Sequence, residues 1–341
     1  AERRGAGGEV RSLYPQQVLV TKKMFDINAT PIQEDDLPAV AALVNEALTQ
    51  VPISAAVSAD SFRRLGLLNE QGTLYPLDLH NDPAGWLLVR DRNTTLGFVH
   101  ACTGYLPDAA APSLVGQGPP APAAAPPVGF IRFLIFPPGR NDVGGVLLAA
   151  AEKFLRAAGV RTVYAWHPQA GYPFYHAGVG ISNGQDFYGL SALSEAGYLL
   201  TTRVLCYQCN LGQPMPEYTP ARRLRCVMRP ATGMPWSLSA FLPGEPQPCA
   251  QVQIKTLPEA LAVNGKPRAY LLHAAVREEM QRQGVGRWLL QRACNEFSAR
   301  GFAAIIAHAT HQQAAAQAVL PQAGFEELAF RGYSFERQIP R

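Results

Sequence analysis

The stretch Gln281-Arg-Gln-Gly-Val-Gly286 leads directly into Arg287-Trp-Leu-Leu290. From the glycines onward, apolar side chains recur every four residues, at Val285, Leu289, Ala293 and Phe297. This spacing predicts an amphipathic helix. A glycine turn at a helix start presents unpaired backbone N–H groups at the positive end of the helix dipole. The stretch therefore predicts a site for a phosphate or pyrophosphate.

Two common nucleotide-binding motifs do not fit this turn. A P-loop requires Gly-x-x-x-x-Gly-Lys-Ser/Thr, and no lysine follows Gly286. The dinucleotide motif Gly-x-Gly-x-x-Gly requires a third glycine, where this chain has Leu289. The flanking pattern narrows the choice, because residues 268–276 predict a strand before the turn and residues 302–308 predict a buried strand after the helix.

This order of strand, glycine turn, helix and strand is followed by a helical segment and by Ala323-Gly-Phe325, which leads into a last strand. The arrangement resembles the GNAT superfamily of acetyl-CoA-dependent N-acetyltransferases. Their pyrophosphate loop reads Gln/Arg-x-x-Gly-x-Gly/Ala and lies between the fourth strand and the third helix. Residues 268–331 carry the resemblance.

The chain contains this unit twice. Residues 144–166 repeat the glycine, leucine and strand positions of residues 286–308 at a constant offset of 142 positions. The offset falls to 127 at the Ala-Gly-aromatic motif, residues 196–198 opposite 323–325. The first copy is therefore longer by 15 residues, and the extra residues fall in an aromatic, glycine-rich loop, 167–185.

The resemblance implies an α/β protein with two tandem GNAT domains, each a mixed, mostly antiparallel central sheet flanked by helices. We expect residues 1–23 to be a flexible tail, 24–211 to form a domain with a degenerate coenzyme loop, and 212–341 to form a domain with an intact acetyl-CoA loop. The tandem arrangement also resembles that of mycothiol synthases. The shortened second copy departs from their pattern, so we do not transfer their substrate to this chain.

The loop of the first copy is degenerate. Gly139-Arg-Asn-Asp-Val-Gly144 stands where Gln281 to Gly286 stand in the second copy, and Asp142 replaces the first glycine of the motif. Like charges about 4 Å apart repel by about 4 kcal/mol at an effective dielectric constant of about 20, which would abolish most affinity for a coenzyme. Aspartate is also a common helix N-cap, and we interpret Asp142 as that cap.

The second copy is short before its glycine turn. Residues 233–244 contain too many prolines and glycines for the two long helices that normally wall the acceptor site in this superfamily. Three interpretations stay open. The first copy supplies part of the acceptor pocket, a homodimer mate supplies it, or the pocket is unusually open.

The resemblance assigns coenzyme binding to the end of the fourth strand and to the glycine turn. The strand contributes backbone groups, and the turn contributes backbone N–H groups for the pyrophosphate. The side chain of Arg282 or Arg287 can add positive charge beside a phosphate. The predicted coenzyme-binding residues are Ala274, Ala275, Val276, Gln281, Arg282, Gln283, Gly284, Val285, Gly286 and Arg287.

Acetyl transfer to an amine requires that the amine lose a proton and that the departing thiolate gain one. Many members of the superfamily place a tyrosine four residues before the glycine of the last Gly-Phe motif, where this chain has Leu320. Tyr270 occupies the strand position that is glutamate in some members. His273 titrates near neutral pH, but alternation along a strand places it on the opposite face from Tyr270. Tyr333, on the last strand, is the third catalytic candidate.

Composition excludes several classes of function. The 341 residues carry a formal charge of +4, which does not indicate a nucleic-acid partner. No run of 18 apolar residues is present, so we expect no membrane span and a cytoplasmic protein. Cys206-x-x-Cys209 has no second pair and no histidine nearby in the sequence, so we predict no metal site. The low-complexity segment 117–127 predicts a surface loop.

Two hypotheses of function remain. The first is an N-acetyltransferase that acts on a small amine and binds acetyl-CoA only in its second copy. The second is a non-catalytic acyl-CoA sensor or scaffold, which the missing tyrosine favours. The intact turn favours coenzyme binding in both cases.

Overall fold

The computed structural model describes residues 27–75, 77–92, 94–106, 126–229 and 235–340. The predicted tail 1–23 lies outside these ranges, as does the low-complexity segment up to residue 125.

The first copy contains the strands and helices expected before, within and after its degenerate loop. In chain order they are β1 (Ala29–Pro31), α1 (Leu37–Leu48), α2 (Ala59–Ser61, continued by a π-helical turn Phe62–Leu67), β2 (Asp78–His80), β3 (Trp86–Asp91), β4 (Thr94–Tyr105), β5 (Val128–Ile135), α3 (Asn141–Ala157), β6 (Thr162–Ala165), β7 (Ser182–Asn183), α4 (Phe187–Glu195) and β8 (Leu199–Asn210).

The second copy begins as a meander of strands. Its elements are β9 (Arg225–Arg229), β10 (Trp236–Phe241), β11 (Ala250–Thr256), β12 (Arg268–Val276), α5 (Val285–Ala299), β13 (Ala304–Thr310), α6 (Ala314–Gln322) and β14 (Glu326–Gln338). The segment with many prolines and glycines forms strand β10, and its described residues contain no α-helix. The prediction that the second copy lacks the usual pair of long helices is therefore confirmed.

The predicted helix after the glycine turn is also confirmed. Val285, Leu289, Ala293 and Phe297 are each about 1% exposed and pack in the core of the second copy. The helix ends at Ala299, and Gly301 follows with φ of +80°. A glycine in this left-handed conformation is the usual stop after a helix.

The two copies share one topology around their helices. In the first copy, α3 connects β5 to β6, and the two strands are parallel. In the second copy, α5 connects β12 to β13, which are also parallel. The other strand pairs within the described residues are antiparallel. The fold is thus the expected α/β architecture with mixed, mostly antiparallel sheet.

The copies are joined by an exchange of their last strands. The continuous sheet runs in the order β1-β3-β4-β5-β6-β14-β8-β13-β12-β11-β10-β9. Strand β14 of the second copy therefore pairs with β6 of the first, and β8 of the first copy pairs with β13 of the second. The division after residue 211 follows the sequence repeat, while each last strand extends the other copy's half of the sheet.

The extra loop of the first copy is part of the interior. Residues 170–182 are all buried, although most of them belong to no strand or long helix. Tyr175 contacts Trp166 of the first copy, and the adjacent His176 contacts His308 and Phe330 of the second. The insertion therefore packs between the two copies. In the described part of the chain, no helix is both long and apolar enough to cross a membrane.

Candidate functional site

The glycine turn of the second copy is tied to the end of β12 by glutamine side chains. The amide of Gln281 donates to the carbonyl oxygen of Val276 at 3.0 Å, and that of Gln283 donates to the carbonyl oxygen of Glu279 at 2.7 Å. Gly284 then precedes α5 in the left-handed region, at φ of +78°. The two glutamine side chains thus help to fix the shape of the turn.

The start of α5 offers a row of backbone donors. Trp288 makes the first helical hydrogen bond, from its N–H to the carbonyl oxygen of Gly284 at 3.0 Å. The N–H groups of Val285, Gly286 and Arg287 precede it and have no acceptor within the helix. A Cβ atom at Gly286 would come no closer than 3.4 Å to Val276. The helix start is therefore open beside Gly286, and a helix start of this kind can bind an anion.

Strand β12 separates from β13 over its C-terminal half, which leads into the turn before α5. The two strands pair only from Arg268 to Tyr270, so the edge of β12 from residue 271 to 276 is free on the side of β13. The predicted coenzyme contacts Ala274, Ala275 and Val276 lie on this free edge and are exposed or half-buried. The fold thus brings the ten predicted coenzyme-binding residues together along one cleft.

A β-bulge in β12 overturns the expected direction of His273. Ile254 of β11 pairs with Leu271, and Gln253 pairs with His273, which leaves Leu272 without a partner. One extra residue reverses the alternation of side chains. His273 therefore lies on the same face as Tyr270, and the prediction of opposite faces was wrong. Burial lowers the pKa of His273 below its usual 6.5.

That face of β12 is covered at one end by the first copy. The hydroxyl groups of Tyr75 and Tyr270 lie 3.0 Å apart, although the residues are 195 positions apart in the chain. The ammonium group of Lys255, which pairs with Tyr270 across the strands, donates to the carbonyl oxygens of Thr73 and Leu74. Residues 73–75 thus stand where the second copy lacks its own helices.

The hydrogen bonds at Tyr270 have a defined direction. His176 must donate from Nδ1, because its partner there is the carbonyl oxygen of Pro52 at 2.9 Å. Its Nε2 therefore accepts from Nε2–H of His308 at 2.8 Å. The Nδ1 atom of His308 must then accept from the hydroxyl of Tyr270 at 3.0 Å, and Tyr270 accepts from Tyr75. Both histidines are neutral, and burial lowers their pKa values.

Tyr333 is not brought to the other catalytic candidates. It lies on β14, and β8 and β13 stand between that strand and β12. Three strand spacings of about 4.8 Å separate Tyr333 from Tyr270 in the sheet. Tyr333 instead lines a cavity of about 300 Å³ together with Arg203, His311 and Arg331.

The segment that joins the two copies crosses the glycine turn of the second copy, and the sequence patterns did not predict this contact. The ring of Tyr218 packs so closely on Gly284 that a Cβ atom there would lie 2.0 Å from it. The backbone N–H of Tyr218 donates to Gln291 at 2.7 Å, and the guanidinium of Arg287 lies 5.2 Å from the centre of its ring. Asn295 of α5 bonds both backbone groups of Met215. Gly284 therefore accommodates Tyr218 as well as the turn.

Comparisons with known proteins agree with this geometry. Residues 206–325 match the model of the acetyltransferase (GNAT) family. Two solved structures are similar over nearly the whole chain. A GCN5-related N-acetyltransferase from Sphaerobacter thermophilus is 13% identical, with a TM-score of 0.59, over 92% of this chain and 96% of that one. A tandem GNAT protein from the clavulanic acid biosynthesis pathway is 14% identical, with a TM-score of 0.58, over 93% and 100%.

The chain has the tandem GNAT fold. At these identities the similar structures show the fold alone, and no curated protein matches the chain. The family match covers the strand, turn and helix that form the cleft of the second copy. GNAT proteins carry out acyl transfer from acyl-CoA, so acyl-CoA-dependent transfer is the activity that the family supports.

In the first GNAT copy, side chains fill the space at the start of α3. Asp142 lies inside the first turn of α3 rather than at its N-cap, so the capping interpretation was wrong. Its carboxylate accepts two hydrogen bonds of 2.9 Å from the guanidinium of Arg140. The ring of Phe136 fills the space beside Gly144, where a Cβ atom would lie 2.7 Å from it. The ion pair and the ring of Phe136 thus occupy the space that stays open at the start of α5.

The cleft between β5 and β6 of this copy nevertheless holds a cavity of about 490 Å³. Aromatic rings form much of its wall, including those of Phe133, Trp166 and Tyr175. Its charged lining residues are the acids Glu46 and Asp186, without a lysine or arginine among the described residues. This lining does not suit the phosphates of a coenzyme.

Cys206 has histidine neighbours that its sequence surroundings did not predict. Cys206 has no histidine near it in the chain, but the fold places His176 and His308 beside it. The three residues come from the insertion loop, β8 and β13. Only the strand exchange and the packing of the loop bring them together, so no spacing in the sequence could have revealed them.

Proposed function

We propose that the second copy binds acetyl-CoA along its cleft and transfers the acetyl group to a small amine. The observation that carries this proposal is the continuity of the free β12 edge, residues 271–276, with the open start of α5. A strand edge can pair with the amide groups of the pantetheine arm, and a helix start can hold the pyrophosphate. The first copy offers no such helix start, because Arg140, Asp142 and Phe136 occupy it.

Charge around the turn supports the same assignment. Arg282 is exposed, and Arg287 lies within the first turn of α5. The nearby acid Glu279 is paired with Arg277 at 3.2 Å, which reduces its repulsion of an anion. Two arginines that can reach a phosphate therefore outweigh the acids of the turn.

The acceptor is proposed to bind on the face of β12 that carries Tyr270 and His273. Residues 73–75 cover this face at the Tyr270 end, so the first copy acts as part of the acceptor wall. The His273 end has no helix of its own copy above it among the described residues. The cover at the Tyr270 end supports the interpretation in which the first copy completes part of the pocket, and it limits the room for an amine at that end.

The proposed chemistry relies mainly on positioning. Acetyl-CoA supplies an activated thioester. His273 is the proposed base, because burial keeps it neutral and able to accept a proton from an ammonium group. Tyr270 donates its hydroxyl proton to His308, so we assign it a positioning role. Tyr333 lies too far from this face to take part, and Leu320 has no proton for the thiolate. Direct attack by a well-held amine needs no strong acid.

Calorimetry with acetyl-CoA on Gly286→Asp tests the binding claim. The residue lies in the first turn of α5, where an acid favours the helix, and its Cβ atom meets nothing closer than 3.4 Å. The added charge repels a pyrophosphate, so we expect affinity to fall by roughly 100-fold or more. Gly286→Ala adds the same Cβ without charge and should stay within about threefold of wild type. Equal affinity of Gly286→Asp and wild type would contradict the proposal.

A non-catalytic acyl-CoA sensor is the second candidate. It is favoured by Leu320, which is 2% exposed and occupies the place of the usual acid. A thiol-release assay over polyamines, aminoglycosides, amino acids and peptides separates the two. Turnover of one amine that falls at least tenfold in His273→Gln supports the enzyme. Tight coenzyme binding without turnover of any amine supports the sensor.

A further inference from the structure

Three side chains converge between the two copies, outside the coenzyme cleft. His176 belongs to a short 3-10 turn of the insertion loop, Cys206 to β8 and His308 to β13. One ring nitrogen of each histidine and Sγ of the cysteine all lie within 4.8 Å of one another, and the two Nε2 atoms lie 2.8 Å apart. His176 and Cys206 are fully buried, and His308 is half-buried.

Both imidazole rings are held by their other nitrogen. Nδ1 of His176 donates to the carbonyl oxygen of Pro52 at 2.9 Å, and Nδ1 of His308 lies 3.0 Å from the hydroxyl of Tyr270. The ring of Phe330, 4.1 Å away, packs against His176. Proteins orient metal-binding histidines in this way, with Nδ1 bonded to an oxygen and Nε2 directed at the ion.

We propose that His176, Cys206 and His308 form a binding site for one thiophilic metal ion. Metal–nitrogen bonds of about 2.0–2.1 Å require the two Nε2 atoms to be roughly 3.4 Å apart. They are now 2.8 Å apart, so the rings need to separate by about half an ångström. The ligands come from both copies, and an ion there would link β8 and the insertion loop of the first copy to β13 of the second.

Binding requires the loss of one proton. The thiol of Cys206 ionises and releases its proton to solvent, and its sulfur bonds the ion. His308 changes tautomer, so its Nε2 becomes a ligand while Nδ1–H donates to the oxygen of Tyr270. His176 already has the required tautomer, because its Nδ1–H donates to Pro52. Burial raises the pKa of Cys206 to about 12, so its thiolate persists only when an ion compensates the charge.

Charge selects among candidate ions. The groups that contact the two rings, Tyr270, Tyr175, Phe330 and the Pro52 carbonyl, carry no charge. One thiolate makes a Cu⁺ site neutral, whereas Zn²⁺ would leave a net positive charge in a buried place. Thiolate ligands also favour Cu⁺, and a trigonal set of two histidines and one cysteine is a known copper geometry. The site therefore fits Cu⁺ better than Zn²⁺.

The test is metal analysis of the full-length protein after expression in medium supplemented with copper or with zinc. We expect about one copper per chain in wild type and in Cys209→Ser, a buried cysteine on the same strand. Cys206→Ser should retain less than one tenth of that amount. Absence of stoichiometric metal from wild type after both loadings would overturn the site. An equal loss in Cys209→Ser would also overturn it, because binding would then follow thiol content.

A measurement on the wild-type protein alone tests the site even if the variants do not fold. X-ray absorption of the loaded protein should show one sulfur and two imidazole nitrogens around the ion. A first shell with two sulfurs, or with oxygen ligands only, would contradict the proposal. Zinc in place of copper with this same ligand set would support the site and reject the charge argument for Cu⁺.

Discussion

The two GNAT copies place different chemistry on the same backbone frame. Both connect two parallel strands through one helix, and in both the strand before the helix carries a bulge. The cleft of the first copy is aromatic, with Phe133 and Trp166 on its walls. The second copy has His273 and His308 on the corresponding strands. The two copies thus share the frame, while the side chains carried on it differ.

The two helix starts differ in the same way. In the first copy, the ion pair of Arg140 with Asp142 and the ring of Phe136 close the end of α3. In the second copy, the end of α5 stays open, and Tyr218 packs beside it on Gly284. The difference shows that the first copy has not simply lost a loop. Its side chains fill the space that stays open at the start of α5.

The largest expected effect on stability is that of Gly284→Ala. Alanine would be strained at φ of +78°, and its Cβ atom would meet the ring of Tyr218 at 2.0 Å. We expect a loss of roughly 2–4 kcal/mol in urea unfolding. Gly301→Ala is the matched control, since it has φ of +80° but nothing within 4 Å, and should lose only about 1–2 kcal/mol. Equal losses would refute the close contact with Tyr218.

Tyr270→Phe removes one of the polar links between the copies, the hydrogen bond to Tyr75. The change leaves the buried acceptor of His308 and the hydroxyl of Tyr75 without their partner. We expect the unfolding free energy to fall by roughly 1–3 kcal/mol. Tyr333→Phe, on β14, should stay within about 0.5 kcal/mol of wild type. A similar effect of both variants would show that the chain through Tyr270 adds no stability.

Alanine at the equivalent glycines Gly144 and Gly286 should have opposite effects. Both positions lie in helices, where alanine is favoured over glycine by up to about 1 kcal/mol. Gly286→Ala has room and should be neutral or stabilising, whereas Gly144→Ala meets Phe136 at 2.7 Å and should lose about 1 kcal/mol. Thermal unfolding of both variants measures the difference. A gain at Gly144 would indicate that the end of α3 is not closed.

Asp142→Asn gives the smallest expected effect. The carboxylate is partly exposed, pairs with Arg140 and lies at the positive end of α3. Its neutralisation should cost about 0.5–1 kcal/mol in low salt and less in high salt, because the helix dipole and the ion pair are screened. Urea unfolding at two salt concentrations tests this. If the cost is independent of salt, the role of Asp142 is packing rather than charge.

Much of the secondary structure could be predicted from local sequence patterns. The helix over Val285–Ala299, its stop at Gly301 and the lack of long helices around residues 233–244 depend on near neighbours in the chain. The direction of His273 could not be read in this way. The alternation of side chains along a strand depends only on neighbouring residues. The unpaired residue Leu272 reverses it, and this bulge depends on how β12 pairs with β11.

By itself, the sequence determined the duplicated unit, the family resemblance and the copy with the intact glycine turn. Those features follow from short-range spacing and from the conformational freedom of glycine. Tertiary structure alone decided the exchange of β8 and β14, the cover that residues 73–75 place over Tyr270, and the meeting of Cys206 with two histidines. The physical reason is that these contacts join residues from 30 positions apart (His176 and Cys206) to 195 positions apart (Tyr75 and Tyr270), and packing of the whole sheet brings them together.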